Sequence, residues 1–147
     1  MSSKERSIVV KENNRQFVVV VPQKSDADKI HIDTGNCETS MKQCDYAIRV
    51  TPTRKQFFYY VELKGNDVVE AAKQLVATAG KRKSDYDGYE QREAWVISGG
   101  WCPAVNTQFQ VQQRMIRKFG FELKHKTRAQ IISLMGKVCE PRKEPSA

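Results

Sequence analysis

The run Phe57-Phe58-Tyr59-Tyr60-Val61-Glu62-Leu63-Lys64-Gly65 constrains the fold more than any other part of the chain. Aromatic and β-branched side chains in such density favour a pleated strand. A strand alternates its side chains between two faces, so Glu62 and Lys64 project one way while Val61 and Leu63 project the other. An acid and a base therefore share one face at the end of an otherwise apolar strand. Upstream, Cys44-Asp45-Tyr46-Ala47-Ile48-Arg49-Val50 reads as a second strand opened by an Asp, and Thr51-Pro52-Thr53-Arg54-Lys55 as the turn that joins the two. Paired as a hairpin, these strands bring Asp45 and Glu62 together at the open end, with Lys64 beside them.

Around this hairpin the chain reads as a sheet-rich α/β domain. Ser7 to Val10 and Gln16 to Val21 are β-branched runs on either side of Lys11-Glu12-Asn13-Asn14-Arg15, an opening β-hairpin whose second arm stops at Pro22. Lys29-Ile30-His31-Ile32-Asp33 alternates polar and apolar residues as a half-buried strand does, and Thr34 to Met41 form a loop. The first helix opens at Asp67-Val68-Val69-Glu70, a capping box, and presents Val68, Ala71, Ala72, Leu75, Val76 and Ala79 on one face until Gly80 stops it. Lys81 to Gln91 reads as a mobile polar loop. Ala94 to Ser98 reads as a strand buried on both faces. A second helix follows from Asn106 or Thr107 to Lys118, with Phe109, Val111, Gln112, Met115, Ile116 and Phe119 on its apolar side and Arg114, Arg117 and Lys118 on its basic side. Phe121 to His125 is a last strand, and Thr127 to Gly136 a short helix capped by Thr127. The expected organisation is one domain over residues 1–139, with a disordered tail over 140–147.

Composition narrows the function classes. No apolar run approaches the roughly 20 residues of a membrane span, and the polar start Met1-Ser2-Ser3-Lys4-Glu5-Arg6 lacks a signal-peptide core. The expected location is cytoplasmic, without a membrane partner. Four cysteines, at 37, 44, 102 and 139, form no CxxC pair, which points to buried free thiols rather than a zinc ribbon or redox motif. A net charge of +8 suits a polyanionic partner, since Lys and Arg that neutralise phosphates release counterions. The basic groups Lys81-Arg82-Lys83, Arg114, Arg117, Lys118, Lys124, Lys126 and Arg128 could track phosphates, or stand as solvated helix faces. Phe57 to Tyr60 could stack bases or fill the core. Trp101, after Gly99-Gly100, lies in a loop beyond a strand end, where binding residues tend to occur.

Two carboxylates beside a lysine suit metal-dependent phosphodiester hydrolysis. The acids hold Mg²⁺ or Mn²⁺ through hard oxygens, and the lysine orients the attacking water or stabilises developing charge. Taken alone, Glu62-x-Lys64 is equally an ion pair at a strand end. The ordered set is more specific: Asp45 at the head of one strand, Glu62-Leu63-Lys64 at the end of the next, Gly65, a long helix carrying Gln74, and then a buried strand. It resembles the PD-(D/E)xK nuclease superfamily, whose restriction-endonuclease-like core is a central mixed β-sheet flanked by helices, and within it a group of small bacterial and phage proteins. The resemblance covers roughly residues 29–98. It implies a nuclease that cleaves DNA, possible as a homodimer, with Mg²⁺ or Mn²⁺ held by Asp45, Glu62 and the Leu63 carbonyl. It also implies Lys64 as the catalytic lysine and Gln74 near the active site. Two features depart from the superfamily pattern: the chain opens with a β-hairpin where a helix is usual, and Cys44 stands where a proline precedes the Asp. Asp33 or Glu38 could supply a further carboxylate, or be ordinary loop acids, and His31 shares a face with Asp33. The alternative function is a catalytically inactive member of the same fold that binds nucleic acid or protein in phage or bacterial defence.

Overall fold

A computed structural model describes residues 4–32, 44–51, 56–63, 67–99 and 107–135. The chain forms β1 (Glu5–Glu12), β2 (Arg15–Pro22), β3 (Asp26–His31), β4 (Tyr46–Thr51), β5 (Phe57–Leu63), α1 (Val68–Lys81), α2 (Lys83–Tyr86), β6 (Gln91–Ser98), α3 (Thr107–Arg117), β7 (Glu122–Thr127) and β8 (Ala129–Ser133). The strands build two sheets, one of three strands in the order β1-β2-β8 and one of five in the order β3-β4-β5-β6-β7. In the larger sheet β3, β4 and β5 run antiparallel as a meander, and β6 and β7 are parallel to β5. The larger sheet is thus mixed, as expected. Its flanks differ from the expectation: among the described residues the helices lie on one face and the three-stranded sheet covers the other.

The alternation of β5 explains the two cores. Phe57, Tyr59, Val61 and Leu63 face the smaller sheet and meet Phe17, Val19 and Val21. The Phe17 ring lies 5.7 Å from Tyr59 and 5.6 Å from Trp95. Phe58 and Tyr60 face the helices, joining Ala71, Leu75, Tyr86, Phe109 and Phe121. With both faces covered, every residue of β5 is buried, and the aromatic run serves packing rather than base stacking. β6, between β5 and β7, is likewise buried from Ala94 to Ser98.

Several boundaries move for identifiable reasons. β3 begins at Asp26, earlier than the alternation suggested, because Asp26 to Asp28 pair with Thr51 to Arg49 of β4 and Asp28 bonds the Arg49 guanidinium. Gly80 does not stop α1, which runs on to Lys81. A Cβ on Gly80 would sit 3.4 Å from the Phe119 ring, an ordinary packing contact, so the glycine here is neither a stop nor a steric requirement. The expected polar loop after α1 contains the short α2, anchored by the buried Tyr86, whose hydroxyl donates to the Ala79 carbonyl at 2.7 Å. In α3 the buried stripe is Phe109, Gln112 and Ile116, while Val111 and Met115 are exposed. Gly120, at φ 82°, turns the chain into β7.

The largest correction concerns Thr127 to Gly136, where a helix was expected. Arg128 adopts φ 68° and the chain re-enters as β8, parallel to β2 in the register Val18 with Ile131 and Val19 with Ile132. Without β8 the outer edge of β2 would present unpaired N–H and C=O groups, and the β-branched pair Ile131-Ile132 suits a strand. Tertiary pairing overrides the local helical spacing. Residues 140–147 lie outside the described region, as do the expected turn at 52–55 and all of the loop at 34–41.

Candidate metal centre at the open end of the β4–β5 hairpin

The β4–β5 register places Tyr46 opposite Val61, so the next position outward sets Asp45 opposite Glu62. Both follow the alternation of Ala47 and Tyr60, and therefore face the helix layer. Reciprocal bonds lock the pair. The Asp45 N–H donates to Glu62 Oε1 at 3.0 Å, and the Leu63 N–H donates to Asp45 Oδ2 at 2.8 Å. Each carboxylate thus has one oxygen held by a backbone amide, which fixes its orientation relative to the other. Glu62 is only 3% exposed, an expensive place for a carboxylate unless charge or hydrogen bonds compensate.

Helix α1 closes the site from above. Asp67 caps it by accepting from the Glu70 N–H at 3.0 Å. One turn apart on its buried face stand Gln74 and Thr78. The Thr78 hydroxyl donates to the Gln74 carbonyl at 2.7 Å and accepts from the Cys44 N–H at 2.8 Å. The helix is thereby stitched to the residue immediately before Asp45. Burial first, and the Glu62 carboxylate second, push the Cys44 thiol well above its ordinary pKa, so it stays a neutral, packed thiol beside Asp45. Gln74 is buried, and its side-chain Oε1 accepts no hydrogen bond among the described residues.

Of the residues singled out by sequence, Asp45 and Glu62 meet, Leu63 joins them through its N–H rather than its carbonyl, and Gln74 is linked through its main-chain carbonyl to Thr78 and so to Cys44. Lys64 lies outside the described residues, as do Asp33, Glu38 and Trp101. His31 is exposed and stacks on the Tyr46 ring at 4.7 Å. Sequence reasoning passed over Thr78, whose signal was a hydroxyl on an otherwise apolar helix face. It also passed over the pair at the end of the parallel strands, where Ser98 Oγ and His125 Nε2 lie 2.8 Å apart. Burial lowers the His125 pKa, which holds the imidazole neutral. His125 is the register partner of Val96, itself the partner of Glu62, so acid and imidazole occupy one row of the sheet.

The donor set suits a hard divalent cation. Mg²⁺ is commonly bound through one or two carboxylates with waters completing an octahedron. Asp45 and Glu62 present two pre-oriented carboxylates, and Gln74 Oε1 is buried without a described partner. Among the described residues no group of three or more His, Cys, Asp or Glu side chains converges. No family model matches the chain, and neither a curated protein nor a solved structure matches it.

Proposed function

We propose that the chain is a Mg²⁺- or Mn²⁺-dependent nuclease acting on DNA, with a restriction-endonuclease-like core formed by β3, β4, β5, α1 and β6. The observation that carries this reading is the register-opposed pair of Asp45 and Glu62, held by reciprocal backbone bonds on the helix-covered face. The order of elements supports it: an antiparallel meander carrying the acids on its second and third strands, then a helix, then a strand parallel to the third.

Asp45 and Glu62 would hold the ion, with the Leu63 carbonyl as a further oxygen. A bound ion there supplies polarisation of the scissile phosphate and a lowered pKa for a water ligand. Lys64, the residue that follows Leu63 in sequence, would orient the attacking water or neutralise charge that develops on the phosphoryl oxygens. The buried Gln74 Oε1, which accepts no hydrogen bond among the described residues, would be available to a water of that shell. The net charge of +8 favours encounter with the polyanion.

The test is cleavage of supercoiled and linear DNA by pure protein in Mg²⁺ or Mn²⁺. Activity is expected, with Glu62→Gln and Lys64→Ala each losing it by about a hundredfold or more. Glu62→Gln retains an acceptor for the Asp45 N–H, so it removes charge while leaving that bond available. Absence of cleavage, or cleavage indifferent to both substitutions, overturns the reading. A second reading, the same fold binding nucleic acid or protein without cutting, is favoured by the lack of a third converging ligand among the described residues. In that case DNA or partner binding persists in Asp45→Asn and is independent of metal.

A further inference from the structure

A second concave feature lies away from the acid pair. Between α2, the end of α3 and the start of β6 is a recess of about 650 Å³. Lys83, Arg92, Arg117 and Lys118 line it, against a single acid, Asp87. Lys83, Arg117 and Lys118 are exposed, and none of the four cations forms an ion pair among the described residues. Such crowding of like charge is unfavourable in the free protein and is relieved by a bound anion.

Arg92 is the built part of the recess. Its Nε donates to the Tyr89 carbonyl and its Nη1 to the Phe119 carbonyl, both at 2.8 Å. The guanidinium also lies over the Tyr86 ring, 4.8 Å from its centroid. Held on two edges and one face, the fork is pre-oriented, while Nη2 bonds no described residue. Gly120 makes this possible, since a Cβ there would meet Arg92 Nη1 at 2.9 Å. Lys83 sits over the half-buried Phe119 ring at 5.6 Å, leaving an aromatic wall beneath a cation. A planar fork flanked by flexible ammonium and guanidinium groups suits tetrahedral phosphate oxygens. Beyond the rim, the exposed Arg114 stands one turn before Arg117 on α3, so the basic side of that helix extends past the recess. A track longer than one anion fits a polymer better than a single phosphate.

We infer that this recess is a second site, which binds backbone phosphates of a nucleic-acid strand through Arg92, Arg117, Lys118 and Lys83. About 13 Å of β6 separates Arg92 from Val96, the register partner of Glu62, so the recess is distinct from the proposed metal centre. The inference does not depend on cleavage.

Binding is measured in EDTA by fluorescence anisotropy, using a labelled duplex of about 20 base pairs across a salt series. The full chain is compared with Arg117→Gln/Lys118→Gln and with Lys4→Gln/Lys24→Gln, which removes the same charge from exposed positions near β1 and β2. The recess pair is expected to weaken binding on the order of tenfold to a hundredfold at low salt and to flatten the salt slope by about 1.8. The β1–β2 pair is expected to change affinity by less than about threefold. Equal losses in the two double variants, or an unchanged slope, overturn the inference. Poly-glutamate or inorganic phosphate that displaces the duplex at matched charge concentration also overturns it, pointing to a peptide or a small anion. Because no metal is present and no cleavage is scored, failure of the nuclease assay leaves this result standing, and the reverse holds too.

Discussion

Thr78 joins the helix layer to the candidate centre, although nothing in its local sequence marks it as more than one polar residue on an apolar helix face. Its hydroxyl is wholly buried, donating to Gln74 and accepting from Cys44, the residue that precedes Asp45. Thr78→Val keeps the shape and strands the Cys44 N–H in the interior. Urea denaturation is expected to show a loss of about 1–3 kcal/mol, with Thr78→Ser recovering most of it. Equal stability in the valine variant would mean that the Cys44 amide finds another acceptor. The Asp45–Glu62 pair was legible at this scale for the opposite reason. Once two strands are joined as a hairpin, antiparallel register decides which residues face each other, and both strands announce themselves by composition. Thr78 and the Ser98–His125 pair depend on contacts between distant segments, which no local pattern encodes.

Among the elements, β8 separates local preference from tertiary demand most clearly. As a helix over 127–136, Ile131 and Leu134 would share a face, three residues apart, and both would be core. As β8 and the residue after it, they point to opposite sides: Ile131 is 60% exposed, whereas Leu134 is 1% exposed and its N–H donates to the Val20 carbonyl at 2.8 Å. The two arrangements make different predictions. Leu134→Ala is expected to cost about 2–5 kcal/mol in chemical denaturation. Ile131→Thr is expected to stay within about 0.5 kcal/mol of the parent. Comparable losses at both positions would favour the helix. By contrast, α1 was readable almost end to end, because Asp67 supplies its cap and six apolar residues repeat at helical spacing. Only its C-terminus misled. Gly80 looked like a stop signal, yet the helix runs through it to Lys81, with the Phe119 ring from beyond α3 in ordinary contact.

At the scale of the whole molecule, the five-stranded sheet lies between a three-stranded sheet and the helices, and among the described residues no helix is long and apolar enough to cross a membrane. Covering both faces buries the tyrosines of β5, and this gives the protein a characteristic response to alkali. Burial first, then Glu93 for Tyr59 and Asp85 for Tyr60, raises both phenols well above the ordinary value of about 10. The folded state keeps these protons when the unfolded chain would lose them. The associated stability is therefore complete below about pH 10 and declines as pH rises beyond it. Urea midpoints are expected to fall progressively above that pH, and Tyr59→Phe/Tyr60→Phe to flatten the decline; an equal slope in the double variant would assign it to other groups. The sequence by itself determined β1 to β7 in outline, the cap and face of α1, and the meeting of Asp45 with Glu62, because hairpin pairing, helical period and strand alternation act over short stretches of chain. The tertiary structure decided the rest. Which face of the central sheet receives helices, what fills the open edge of β2, where Gln74 and Thr78 attach, and the gathering of Arg92, Arg117 and Lys118 around one recess all depend on surfaces from distant segments, whose fit is set by packing and by the need to pair every buried backbone group.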